Sequence, residues 1–148
     1  MLTNKEILTI AKKIIINKRL NAKVKLVSYT SFKRVAKKSP LILKVLSEGY
    51  PFSELNVPAV YSHKNNTIFI CKKILGKLMI HESKKLQIKF IKALMHHEIF
   101  HQINQKKLKD QSFNSAMLSE ERAERQFKKI YPGLAALAKR ISAKRSKF

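Results

Sequence analysis

The chain has 148 residues, 45% of them hydrophobic, and its 32 Lys and Arg residues against nine acids give a net charge of +23. This length fits about one domain with a buried core, and the single cysteine, Cys71, excludes both a disulfide framework and a cysteine-based zinc cluster. No apolar run approaches the roughly 20 residues that span a bilayer, and the start lacks a signal-peptide pattern, which predicts a cytoplasmic or virion-packaged protein that is not secreted by a classical signal.

The N-terminal third is predicted to be mainly helical. Thr3-Asn4-Lys5-Glu6 fits a capping box, and apolar residues then recur at helical spacing, which predicts an amphipathic helix over residues 4–18. Val24 to Val27 indicates a short strand. Residues 31–48 are predicted to be helical in part, with a break at Ser39-Pro40.

Two β-prone runs follow, Val57 to Tyr61 and Thr67 to Cys71, and the polar residues between them indicate a hairpin. Ser83 is a candidate cap for a long helix that ends near Gln105. A second helix is predicted from about Ser115 to Ile130.

The long helix carries an apolar stripe that includes two histidines. Leu86, Phe90, Leu94, His97 and His101 fall near one line, which predicts that both histidines lie on the face that packs on the core.

Taken together, these elements predict one α+β domain over residues 1–148 with a short antiparallel sheet. Residues 1–56 hold the N-terminal helices and strand, and 57–130 hold the hairpin and two helices. Residues 131–148 form a basic C-terminal helix and tail after a break at Tyr131-Pro132-Gly133.

The most informative motif is His97-Glu98-Ile99-Phe100-His101, which has the form H-E-x-x-H. Two imidazoles four residues apart on a helix can bind one zinc ion, and the glutamate beside them can act as general base. Glu120, 19 residues beyond His101, can complete a His₂Glu site with one position open to water, although its neighbour Glu121 is an alternative. The sequence thus predicts a catalytic zinc site.

The motif pieces resemble the gluzincin metallopeptidases, in which H-E-x-x-H on one helix is followed by E-x-x-A-D or E-x-x-x-D on the next. Glu120 to Glu124 reads E-x-x-A-E, so the resemblance favours Glu120 as third ligand. Glu124 lies one turn after Glu120, where it could hydrogen-bond a ligand histidine or form an ion pair with Lys128. The resemblance places this glutamate where the family usually has Asp. The small size resembles the compact ImmA/IrrE-type and minigluzincin peptidases. The strand Thr67 to Cys71 looks like the family's edge strand, which pairs with an extended substrate.

These residues predict a zinc-dependent endopeptidase in which Glu98 takes the proton of the attacking water. Tyr131 is a candidate for stabilising the oxyanion, from its position after the glutamate helix. The alternative is a basic nucleic-acid-binding or virion-associated protein on a gluzincin scaffold with little protease activity. The charge predicts nonspecific contact with nucleic acid or another polyanion. The Lys-, Ile- and Asn-rich composition suits an AT-rich genome such as that of a phage or virus.

Overall fold

The computed structural model describes residues 1–105, 113–130, 132–133, 135–137 and 139–140. It has an α+β fold, and no helix in this part of the chain is long and apolar enough to cross a membrane. The elements in chain order are α1 (Asn4–Asn17), β1 (Lys23–Val27), α2 (Tyr29–Ala36), α3 (Pro40–Ser47), a 3₁₀ turn (Phe52–Glu54), β2 (Ala59–Ser62), β3 (Thr67–Cys71), α4 (Lys72–Met79), α5 (Lys84–Gln105) and α6 (Phe113–Ile130).

The N-terminal predictions are confirmed. The Glu6 N–H donates to the Thr3 hydroxyl at 3.1 Å, and the Thr3 N–H donates to the Glu6 carboxylate at 3.2 Å, so the capping box begins α1. The predicted break also occurs, because α2 ends at Ala36 and Pro40 opens α3 in the first-turn position that its missing N–H allows.

The sheet has three strands in the order β1-β3-β2. The predicted hairpin is confirmed, since β2 and β3 are antiparallel. However, β1 runs parallel to β3, from Lys23 opposite Thr67 to Val27 opposite Cys71, so the prediction of an antiparallel sheet was wrong. Helices α2 and α3 and strand β2 lie between β1 and β3 in the sequence. A local sequence pattern does not encode the pairing of strands that are so far apart.

Strand β3 lies at the centre of the sheet, so the prediction that Thr67 to Cys71 is an edge strand was also wrong. All five of its residues are buried, including the single cysteine, Cys71. A continuous apolar run is typical of a strand covered on both faces. The edge beside α5 is instead β2, whose last three residues are half-buried.

Helix α4 was not predicted from the sequence. It follows β3 without a linking residue, and four of its apolar side chains are buried at helical spacing: Ile74, Leu75, Leu78 and Met79. Its eight residues are too few for the periodic signal to stand apart from the preceding apolar strand.

The most buried face of α5 is shifted by one residue along the sequence from the predicted stripe. Ser83 caps the helix as expected, accepting a hydrogen bond from the Leu86 N–H at 3.3 Å. His97 is only half-buried. The most deeply buried line, at spacings of three and four, comprises Gln87, Ile91, Met95, Glu98 and Gln102. Three of its five members are polar, so a stripe drawn through apolar residues misses it.

The end of the chain is described only in part. Pro132 and Gly133 are helical, although the sequence placed them in a break. Tyr131, most of the tail and the polar link between α5 and α6 lie outside the described residues, so the predictions made for them stay predictions.

Asn66 ties the hairpin turn to both β1 and α5. Its backbone φ of 46° is in the left-handed region, which asparagine tolerates better than most residues. Its side-chain amide donates to the Asn21 carbonyl at 2.6 Å. Its side-chain oxygen accepts hydrogen bonds from the Tyr61 hydroxyl at 2.8 Å and from the Gln102 amide at 3.1 Å. One side chain therefore holds the edge hairpin against the long helix.

We expect Asn66→Ala to lower the free energy of unfolding by about 2–4 kcal/mol, because it adds left-handed strain and leaves the buried Gln102 amide without its acceptor. Asn66→Gly removes the same side-chain hydrogen bonds, but glycine adopts a positive φ without strain. The free energy of unfolding should therefore fall by roughly 1 kcal/mol less than in Asn66→Ala. Urea unfolding of both variants measures the difference. Equal losses would mean that the left-handed backbone carries no strain.

Candidate metal centre

Helices α5 and α6 pack against each other and bring two imidazoles and one carboxylate to a single point. His97 and His101 lie one turn apart on α5, and Glu120 reaches them from α6. Ala123 and Phe127, one and two turns beyond Glu120, are buried, which turns this face of α6 toward α5. The ring of Phe127 meets that of His97 edge-on, with centroids 6.4 Å apart.

The ligand-type atoms of these three side chains are close together. His97 Nε2 lies 3.1 Å from Glu120 Oε1, and His101 Nε2 lies 2.7 Å from Glu120 Oε2. The two Nε2 atoms are 3.2 Å apart. The three side chains are the one group of His, Cys, Asp and Glu residues in the described part of the chain whose ligand atoms could hold a metal ion together.

The spacing of these atoms fits a small tetrahedral metal. Two ligand atoms that each lie about 2.1 Å from a zinc ion, at a tetrahedral angle, are about 3.4 Å apart. The two Nε2 atoms are 3.2 Å apart, and each lies 3.1 or 2.7 Å from a different oxygen of the Glu120 carboxylate, so a small opening of the cluster would admit an ion. With three protein ligands, one tetrahedral position stays open to water.

The charges in the cluster are strongly coupled. Burial opposes a charge on His97, yet its hydrogen bond to Glu120 and the nearby acids raise its pKa to about 9. The pKa of Glu120 is held well below its usual range by hydrogen bonds from His101 and His97, against the effect of burial. A cation is therefore favoured at this point, whether a proton on imidazole or a metal ion.

Glu98 lies beside the cluster at the centre of the buried face of α5. It is 6% exposed, and burial raises the pKa of its carboxyl, an effect partly offset by His101 and His97. The carboxylate also accepts a hydrogen bond from the Tyr61 backbone N–H on β2. Burial and the neighbouring histidines thus act on the pKa of this carboxyl in opposite directions.

The geometry of the edge strand explains why the Tyr61 N–H is available. The Cys71 N–H donates to the Pro58 carbonyl at 2.8 Å, so the backbone of residue 58 faces β3. In an antiparallel pair these directions alternate, so the backbone groups of Tyr61 face away from β3. Sequence reasoning missed this residue, because it identified the hairpin but not which residues face outward.

The other sequence candidates lie outside the cluster. Glu121 is exposed and is not grouped with the ligands, which distinguishes it from Glu120. Glu124 is exposed and raises the pKa of His97 through its charge, and its predicted orienting role stays a prediction. The neighbouring histidine, His96, was not a candidate; it is half-buried, and burial together with the charges of Lys18 and Lys92 lowers its pKa.

A comparison of the chain with known protein families, with curated proteins and with solved structures finds no match.

We expect the purified chain to bind one divalent metal ion, and His101→Ala to lose most of it, because His101 supplies one of three ligand atoms. Elemental analysis after gel filtration measures the ratio of metal to protein. Glu121→Gln is the matched control for Glu120→Gln. If Glu121→Gln releases the metal and Glu120→Gln retains it, the third ligand has been assigned to the wrong carboxylate.

Proposed function

We propose that this chain is a zinc-dependent peptidase. The proposal rests on one observation, the convergence of His97, His101 and Glu120 on a point beside the buried carboxylate of Glu98. A purely structural zinc site usually has four protein ligands, often cysteines. Here the described residues supply three ligands and a neighbouring proton acceptor.

The donor set favours zinc over the alkaline earth ions. Calcium and magnesium prefer shells of six or more oxygen ligands, whereas imidazole nitrogen suits zinc and its transition-metal neighbours. His97 and His101 would hold zinc through Nε2 and Glu120 through its carboxylate. A zinc ion bound there would polarise a substrate carbonyl and acidify a water molecule.

Glu98 performs the proton transfers in this proposal. Its carboxylate takes a proton from the attacking water and then donates it to the leaving amine as the peptide bond breaks. The hydrogen bond from the Tyr61 N–H fixes the orientation of the carboxylate, and burial raises its affinity for the proton between the two steps. The raised pKa of the carboxyl therefore supports both roles.

Access for a substrate is compatible with the burial of the cluster. The side chains of His97, His101 and Glu120 retain exposures of 22%, 11% and 35%. An extended peptide would pair with the edge strand β2, where the Tyr61 carbonyl faces away from β3 in the same way as the Tyr61 N–H. The substrate would then lie along the strand that orients Glu98.

We expect Glu98→Gln to keep its metal and fold but to lower hydrolysis of a casein-type substrate by about 10²- to 10⁴-fold, because the amide accepts the Tyr61 hydrogen bond but takes up no proton. Metal content, thermal unfolding and kcat/KM are measured on the same preparation. Glu121→Gln is the matched control on the exposed side of α6 and should retain activity.

Two results would contradict the proposal. Undiminished hydrolysis by Glu98→Gln would remove Glu98 from the mechanism. Full metal content in a wild-type chain that cleaves neither casein nor a peptide library would favour the alternative of a binding protein that has the scaffold without the activity.

A further inference from the structure

A second concave site lies at the far end of the sheet from the metal centre. The cavity has a volume of about 410 Å³ and opens where β1 and β3 end and where α2 and α4 begin. Its lining includes Val27, Tyr29 and Ile80, and three lysines of α4, namely Lys72, Lys73 and Lys77. The proposed peptidase chemistry uses none of these residues.

Gln87 on α5 marks how far the cavity lies from the candidate metal ligands. It accepts a hydrogen bond from the Leu2 N–H and donates one to the Met79 carbonyl, and the neighbours of both residues line the cavity. At about 1.5 Å per residue, His101 lies about 21 Å further along α5. A change in the cavity can therefore be made without touching the metal ligands.

The three lysines concentrate charge that no described residue neutralises. All three are exposed, the described residues that line the cavity include no acid, and none of the three lysines forms an ion pair within this part of the chain. Lys73 and Lys77 are four residues apart on one helix, a like-charge arrangement that is mildly unfavourable. An anion bound between them would relieve this repulsion.

The basic surface continues beyond the cavity along an aromatic pair. The Lys73 ammonium lies over the Tyr29 ring, 4.9 Å from its centroid. The Tyr29 ring packs edge-on against Phe52, and Lys33 lies 5.8 Å from the centroid of Phe52. The Tyr29 face is thus occupied by a lysine, so this surface suits phosphate contacts and not the stacking of bases.

We propose that the cavity and its three lysines bind the phosphodiester backbone of a nucleic acid. A net charge of +23 attracts polyanions in general, and the lysines around the cavity give that attraction a fixed location. The proposal goes beyond the peptidase and does not depend on it.

The first test compares two triple variants with equal loss of charge. Lys72→Gln/Lys73→Gln/Lys77→Gln changes the cavity, and Lys5→Gln/Lys12→Gln/Lys13→Gln changes three exposed lysines of α1. Binding of a fluorescein-labelled DNA duplex of mixed sequence is measured by anisotropy over a range of salt. We expect the cavity variant to bind the duplex at least about tenfold more weakly. The slope of log K against log salt concentration should fall in magnitude by about 2–3, because each lost phosphate contact lowers that slope by about 0.9.

The second test uses Gly76, which lines the cavity and where an added Cβ would meet no atom within 4 Å. Gly76→Glu places a carboxylate beside the lysines, whereas Gly76→Ala adds only a methyl group. We expect the first to weaken duplex binding and the second to retain it. This pair decides the question if the triple variant fails to fold.

Equal losses in the two triple variants would overturn the proposal, because they would mean that the charge acts without a specific site. Undiminished binding in the cavity variant would overturn it as well. If decanoate binds the wild-type chain while duplex affinity is independent of the three lysines, the cavity belongs to a small amphipathic anion. Metal content, measured on every variant, should stay at the wild-type value, so failure here is distinct from failure of the peptidase proposal.

Discussion

The carboxylate of Glu98, buried in the C-terminal half of α5, constrains the arrangement around it. An ionised carboxyl in an apolar core is unfavourable unless hydrogen bonds or opposite charges compensate it. Glu98 has both, the Tyr61 N–H from the sheet edge and the two histidines on its own helix. The first contact requires β2 to lie beside α5 with a fixed register, and the second requires cationic or metal-binding groups on the neighbouring turn. The position of the hairpin and the chemistry of the cluster thus depend on the same side chain.

The grouping of His97, His101 and Glu120 was largely predictable because most of its geometry is local. Residues four apart on a helix project to the same side, so His97 and His101 could be paired from spacing alone. Glu120 was harder, since the link before α6 leaves its rotation open, and the sequence kept Glu121 as an alternative. The structure brings Glu120 and not Glu121 to the two histidines, because the buried Ala123 and Phe127 turn the Glu120 face of α6 toward α5.

The sheet was less predictable because its topology depends on contacts distant in sequence. The β1–β3 pairing joins residues more than forty positions apart, and no local pattern distinguishes it from a second hairpin. The apolar run of β3 did contain the relevant signal, since a strand exposed on one face usually alternates. The face of α5 was misplaced for a related reason. Gln87, Glu98 and Gln102 are buried through specific hydrogen bonds, and a hydrophobic stripe gives no weight to such residues.

Gly76 makes α4 less stable than an alanine would, and it does so without a packing requirement. It lies in the interior of α4, where glycine is less favourable than alanine by roughly 1 kcal/mol. No neighbouring atom would obstruct a methyl group there, so packing does not require the glycine. A mutation to alanine is thus an accessible route to a more stable chain, at the expense of room in the cavity. Helix stability and the space beside the lysines of α4 therefore depend on the same position.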